Sequence, residues 1–169
     1  MIIKSHQVKN WLKQNKSTIK HLIFNLVLML FTGWLLLHHT QLHLCLTPSL
    51  DNTRILLFQK VMPIRRGDIV AIQGHDYKHL GIQPYAKRVI GFAGDPIVRE
   101  QNAIKIGPRT LPLIEKTKEG YPLTPINHKI VPEGYLFVAG DHPRSIDSRY
   151  EEFGLVPVEK VWGKAVLTW

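Results

Sequence analysis

The sequence has one cysteine, Cys45, no Asp or Glu in its first 20 residues, and no long stretch of helical apolar spacing beyond residue 50. The lone cysteine excludes an internal disulfide and any multi-cysteine zinc or iron–sulfur site. The missing acids concentrate the charge. Five lysines (Lys4, Lys9, Lys13, Lys16 and Lys20) lie in residues 1–20, so more than half of the net charge of +9 belongs to the tail and only +4 to the other 149 residues. A basic balance gathered in a tail fits a membrane surface better than nucleic acid, which asks for basic clusters and interleaved aromatics on the folded body. With 169 residues, 44 % hydrophobic and 21 % charged, the chain suits one modest domain plus an appendage and is not of disordered composition.

The appendage is an apolar run, LIFNLVLMLFTGWLLL, from Leu22 to Leu37, interrupted by Asn25. A spanning helix needs about 20 mostly apolar residues, and the run reaches that by extending over residues 21–41. Five lysines precede it, and no Lys or Arg follows until Arg54. That asymmetry puts the N-terminus in the cytoplasm. A secretory signal peptide has the same signs, but the small-residue cleavage site is missing from LLLHHTQLHLCL. A buried amphipathic helix would show one apolar stripe, whereas this run is apolar on all sides. The expected organisation is a cytoplasmic basic tail (1–20), an uncleaved transmembrane signal anchor (21–41) and an extracytoplasmic body (42–169). His38, His39 and His43 lack ligand spacing and read as polar residues at a membrane boundary, so no metal or cofactor is expected.

The body reads as mainly β, a compact antiparallel domain. Short β-rich runs fall at 54–61, 67–74, 86–92, 97–106, 134–140 and 160–169. Turn signals such as Arg66-Gly67-Asp68, Gly94-Asp95-Pro96 and Pro132-Glu133-Gly134 separate them. Residues 97–106 read as a hairpin, and the Pro-rich stretch 107–132 as irregular.

Chemistry concentrates in three segments: LTPSLDNT (46–53), AKRVIGFAGD (86–95) and GDHPRSIDSRYEEFG (140–154). A serine hydroxyl attacks well only if a base takes its proton. A lysine can be that base only when its amine is neutral. Its ordinary pKa is near 10.4, so an apolar site must lower it by several units. Strand alternation sends Lys87 and Val89 to one face and Arg88 and Ile90 to the other, with Lys87 inward.

Together these segments resemble the signal peptidase I family (peptidase S26), serine proteases with a Ser/Lys dyad. The similarity covers residues 47–154 in order. The nucleophile box keeps Ser49 and Thr53 but has Asn52 for a proline. The base box, Lys87 to Asp95, departs only at Ala93. The late box is matched in full by Gly140, Asp141, Ser145, Asp147, Ser148 and Arg149, and Arg66-Gly67-Asp68 matches a further signature. The resemblance implies Ser49 as nucleophile and Lys87 as base. It implies an oxyanion hole from the Thr47 hydroxyl and the Ser49 N–H, since Pro48 has no N–H to give. Ser145 would orient the Lys87 amine, and Asp147 with Arg149 would form a supporting ion pair. Asp147 as direct base is the lesser option, because a carboxylate that close would keep Lys87 protonated. Substrate would add as an extended strand along Gln83, Tyr85 and Ala86, with Leu50 also contacting it.

The 44 residues between the base and late boxes, 96–139, are too few for a large second β domain. This minimal core most resembles the TraF-type conjugative-transfer peptidases, which process pilin precursors and in some members join the new ends into a circle. The expected partners are the lipid bilayer, an exported precursor protein and conjugative transfer machinery, with the body on the outer side of a bacterial inner membrane. Three alternatives stand beside this reading: a general signal peptidase, a non-catalytic anchored assembly factor of a secretion or pilus apparatus, and a self-cleaving repressor. The last would need a DNA-binding head where residues 1–40 are too apolar for one.

Overall fold

The computed structural model describes residues 5–44, 50, 55–60, 63–77 and 81–168. The chain divides into two compact units, Met1–His39 and Thr40–Trp169.

The first unit is helical. Helix α1 spans Ser5–Gln14 and α2 spans Lys16–His39. The sequence reading treated residues 1–20 as a tail with no assigned helix and began the anchor at residue 21; the helix starts earlier and ends at His39. Ordinary helical bonds cross the junction, from the Asn15 N–H to the Trp11 carbonyl and from the Ile19 N–H to the Asn15 carbonyl. In α2 the one hydroxyl of the apolar run, on Thr32, bonds back to the Leu28 and Met29 carbonyls at 2.9 and 3.0 Å. The hydroxyl is thereby satisfied within the helix, which lowers its cost of transfer into lipid. Large apolar side chains are exposed on all sides of α2, among them Phe24, Met29 and Leu36. Residues Lys16–His38 are long and apolar enough to cross a membrane.

The second unit is built on a seven-stranded sheet of order β1-β2-β10-β3-β4-β8-β9. All neighbouring pairs are antiparallel. Its strands are β1 Thr40–Leu44, β2 Ile55–Gln59, β3 Ile69–Tyr77, β4 Gly81–Gly91, β8 Tyr135–Ala139, β9 Val156–Pro157 and β10 Val161–Thr168. A three-stranded meander inserts between β4 and β8: β5 Ile97–Glu100, β6 Ala103–Ile106 and β7 Arg109–Pro112.

Period-two alternation in the central strands feeds two cores at once. Val89, Leu136 and Val138 join Val70, Ile72, Phe153 and Val161 in one cluster. Their chain neighbours Ile90, Phe137 and Ala139 join Ile97, Ile104 and Ile106 under the meander. Strands buried on both faces read as continuous apolar runs, as YLFVA does.

The hairpin expected over 97–106 is β5–β6, paired from Ile97↔Ile106 to Glu100↔Ala103. Three elements differ from the sequence reading. Strand β7 lies within the stretch expected to be irregular; Leu111, opposite Ile104, is buried, so burial rather than propensity makes Arg-Thr-Leu-Pro a strand. Strand β1 occupies residues assigned to the membrane boundary. Strand β4 starts at Gly81, so Pro84 sits inside a strand rather than before one.

Close approach of β10 to β2 explains one glycine. A methyl group at Gly163 would lie 2.5 Å from the Gln59 carbonyl oxygen, at the irregularity where β10 changes register on β3. Gly163→Ala is expected to destabilise the body by about 2 kcal/mol, the usual cost of overpacking against backbone, read as a lower urea midpoint with an unchanged slope.

Candidate active site

Strand β4 carries Lys87 and Arg88 to opposite faces. Lys87 is 4 % exposed, on the side of Val89. Its Nζ donates to Ser145 Oγ at 2.8 Å. Ser145, itself buried, stands in the loop 140–155 between β8 and β9, 58 residues away in sequence.

Two buried ions shape that loop. Arg149 Nε and Nη2 bond the two oxygens of Asp147 at 2.8 and 2.9 Å. Nη2 also donates to the Ser145 carbonyl at 2.7 Å, and Nη1 to the carbonyls of Pro112 (2.6 Å) and Pro143 (3.1 Å). All five guanidinium protons thus have acceptors. Asp147 in turn accepts the backbone N–H of Gly140 and of Arg149. The pair is 1 % and 0 % exposed. Burial alone would lower the Arg149 pKa; the hydrogen-bonded Asp147 carboxylate more than reverses this and holds it above its ordinary value.

Ser148, the next late-box residue, ties the loop to the sheet. Its Oγ donates to the Gly154 carbonyl and accepts from the Val138 N–H. Tyr150 is fully buried and its hydroxyl accepts the Ile114 N–H at 2.9 Å. Burial, ahead of the Ile114 and Arg149 contacts that oppose it, raises the Tyr150 pKa, so the phenol stays protonated.

On the other face, Arg88 grips Asp141 through Nε and Nη2 at 2.7 and 2.6 Å and gives Nη1 to the Gly67 carbonyl. In the turn at 65–68, Arg66 bonds Asp95 at 2.7 Å and the Ile90 carbonyl. The Gly67 N–H and the Asp68 carbonyl pair with Val89. Neither tie was assigned from sequence, although each of its residues lies inside a recognised box.

The structure therefore brings together Lys87, Ser145, Asp147 and Arg149. Ser49 and Thr47 lie outside the described residues. Gln83 enters only as a backbone position, opposite His75. Tyr85 is half-buried, edge-on to Phe153 at 5.5 Å between ring centres. Beyond the Arg88↔Ala139 pair, β8 no longer covers β4, and the edge at Gln83 to Ala86 has no strand from β8 beside it. Leu50, expected to contact substrate, is 3 % exposed and packs with Phe58, Ile69 and Ala71. Among the described residues, no three His, Cys, Asp or Glu side chains converge as a metal would need.

The family model described as "Signal peptidase, peptidase S26" matches residues 15–169. A signal peptidase I of Bacillus caldolyticus is 31 % identical over 134 residues, which cover 69 % of this chain and 70 % of that protein. One of Bacillus licheniformis is 35 % identical over 128 residues, covering 67 % of this chain and 64 % of that protein. A crystal structure of a signal peptidase I from Enterococcus faecalis, 30 % identical, overlays 62 % of this chain and 97 % of that one with a TM-score of 0.43. The chain belongs to the signal peptidase family, peptidase S26. Its enzymatic class is accordingly serine endopeptidase of the signal peptidase I type.

Two predictions concern the carboxylates. Asp147→Asn leaves the Arg149 charge buried without its counter-ion and is expected to cost about 3–5 kcal/mol, measured by urea unfolding. Asp95 supplies a pH signature. Burial alone would raise its pKa, but the Phe92 N–H and Arg66 outweigh that and hold it below the ordinary 3.8. The folded value is thus depressed, so its contribution is present above the unfolded pKa and is lost as pH falls through the folded one. The gap in Tm between wild type and Asp95→Asn should hold steady at neutral pH and close below about pH 4.

Proposed function

We infer that the chain cleaves leader peptides from exported precursors, with Ser49 as nucleophile and Lys87 as general base. The observation that carries this reading is the buried Lys87–Ser145 hydrogen bond. An amine held by a hydroxyl is a base for a serine once it is neutral. Leu50, the residue after Ser49, packs in the cluster that Ala86, the residue before Lys87, also joins; this supports a short path between the two boxes. Ser49 attacks the scissile carbonyl, Lys87 takes its proton and later returns it to the leaving amine. Thr47 and the Ser49 N–H stabilise the oxyanion. Ser145 fixes the amine's direction, and Asp147 and Arg149 fix Ser145. Among the described residues, β8 does not extend beside Gln83, Tyr85 and Ala86 of β4, which supports recognition of the precursor as an added strand.

Helix α2 anchors the enzyme with residues 1–20 in the cytoplasm and the β body outside, as the lysine asymmetry favours. Within this chemistry, the short segment 96–139, whose strands ahead of β8 are only the three of the β5–β7 meander, favours a pilin precursor of conjugative transfer as substrate. The two Bacillus relatives, each named signal peptidase I, favour the general reading instead.

The intact mass of a pilin precursor co-expressed with the enzyme tests these points together. Wild type is expected to yield a shortened product, while Ser49→Ala and Lys87→Ala leave the precursor whole. A product one water lighter than the linear fragment marks ring closure. An uncut pilin alongside new N-termini on other exported proteins selects the general peptidase, and no cleavage anywhere selects the assembly factor. In steady-state assays, Lys87→Ala should lower kcat by about 10²–10⁴-fold, the usual contribution of a general base. Ser145→Ala should lose about tenfold, one hydrogen bond's worth, at little change in KM.

A further inference from the structure

A cleft of about 240 Å³ lies between the 65–68 turn, strand β4 and the turn joining β6 to β7, and its wall includes Arg66, Gly67, Arg88, Pro108 and Arg109. The peptidase chemistry uses none of these side chains directly. Two of the three arginines already have carboxylate partners: Arg66 bonds Asp95, and Arg88 bonds Asp141. The third carboxylate of the region, Asp68, is taken by the Arg65 N–H and by Lys164. Arg109 is exposed and stands opposite Ile106 in the meander, with no carboxylate among the described residues bonded to it. Among the described residues, three guanidinium groups thus meet two carboxylates, a positive excess in the cleft.

The cations are also held in place. Arg66 is fixed by Asp95 and the Ile90 carbonyl, and its guanidinium lies 5.8 Å from the centre of the Phe92 ring. Gly107, at φ +53°, brings the β6–β7 turn so close that a methyl group there would lie 3.5 Å from Arg66 Nη1. The side-chain entropy of placing Arg66 is thus met by folding, and the second N–H on each of Nη1 and Nη2 can meet a ligand at low further cost.

We propose that this cleft binds an oxyanion of the phosphate class between Arg66 and Arg109. Planar guanidinium forks match the paired oxygens of such an anion, and a tetrahedral one offers oxygens to two separate forks. The cleft is open to water, so binding weakens as salt rises. The anion is either dissolved phosphate or the headgroup of a phospholipid, and both present the same chemistry to the site.

The test uses the full chain in maltoside micelles, which carry no phosphate, with no substrate present, so its outcome is independent of the peptidase reading. Inorganic phosphate, compared with chloride at equal ionic strength, should raise Tm saturably by about 3 °C at ten times Kd. Arg109→Gln should abolish the rise. Lys105→Gln, which removes the same charge from the neighbouring strand, should keep it. In a second arm, dihexanoyl phosphatidylglycerol replaces phosphate. An Arg109-dependent rise at lower concentration than phosphate requires identifies the headgroup as ligand; a rise with phosphate alone identifies the dissolved anion. A rise equal in chloride, one that survives Arg109→Gln, or no rise in either arm overturns the proposal.

Discussion

Asp147 and Arg149 are two ions removed from water, and their removal sets the terms for everything around them. Neither can be tolerated without a full shell of partners. The shell is drawn from distant parts of the chain: the Pro112 carbonyl at the end of β7, the Pro143 and Ser145 carbonyls within the loop, and the Gly140 N–H at the end of β8. Satisfying one guanidinium thus fixes the meander, the loop and the sheet relative to one another. Ser145 is held by its carbonyl from one side, and its hydroxyl is left to meet Lys87.

Strand β4 is the second constraint. Because successive residues leave opposite faces, Lys87 and Arg88 are separated by the thickness of the sheet while adjacent in the chain. One contacts Ser145 and the other Asp141, so the strand grips the same loop at two points four residues apart. A register slip of one residue flips both side chains to the opposite face, and in one direction places a permanently charged guanidinium where the amine belongs. The Gly67 N–H and the Asp68 carbonyl, both bonded to Val89, oppose that slip from the neighbouring turn.

Much of this was legible in the sequence, because the informative residues are polar groups in tight local patterns. The inward direction of Lys87 follows from alternation with Val89, whereas the Asp147–Arg149 contact was implied by the resemblance of the late box to the family's. The β5–β7 meander was only half visible: Ile97 to Ile106 carries a turn and alternating residues, whereas β7 is four residues ending in proline and depends on Leu111 finding Ile104. The packing of Leu50 with Phe58, Ile69 and Ala71 has no local signature, since its partners lie 8 to 21 residues away. The ties between Arg88 and Asp141 and between Arg66 and Asp95 cross 53 and 29 residues, and no local pattern specifies which carboxylate an arginine finds.

The sheet order also constrains the sequence of events as the chain is made. Strand β10, at Val161–Thr168, lies between β2 and β3. Until it emerges from the ribosome, β2 and β3 have no ladder joining them, and β3 presents an open edge beside the strand that carries Lys87. The earlier hairpins can form in order of synthesis, but the middle of the sheet closes only when its last-made strand is inserted. The strand that carries Lys87 therefore stands in a sheet joined through to β2 only after β10 has been made.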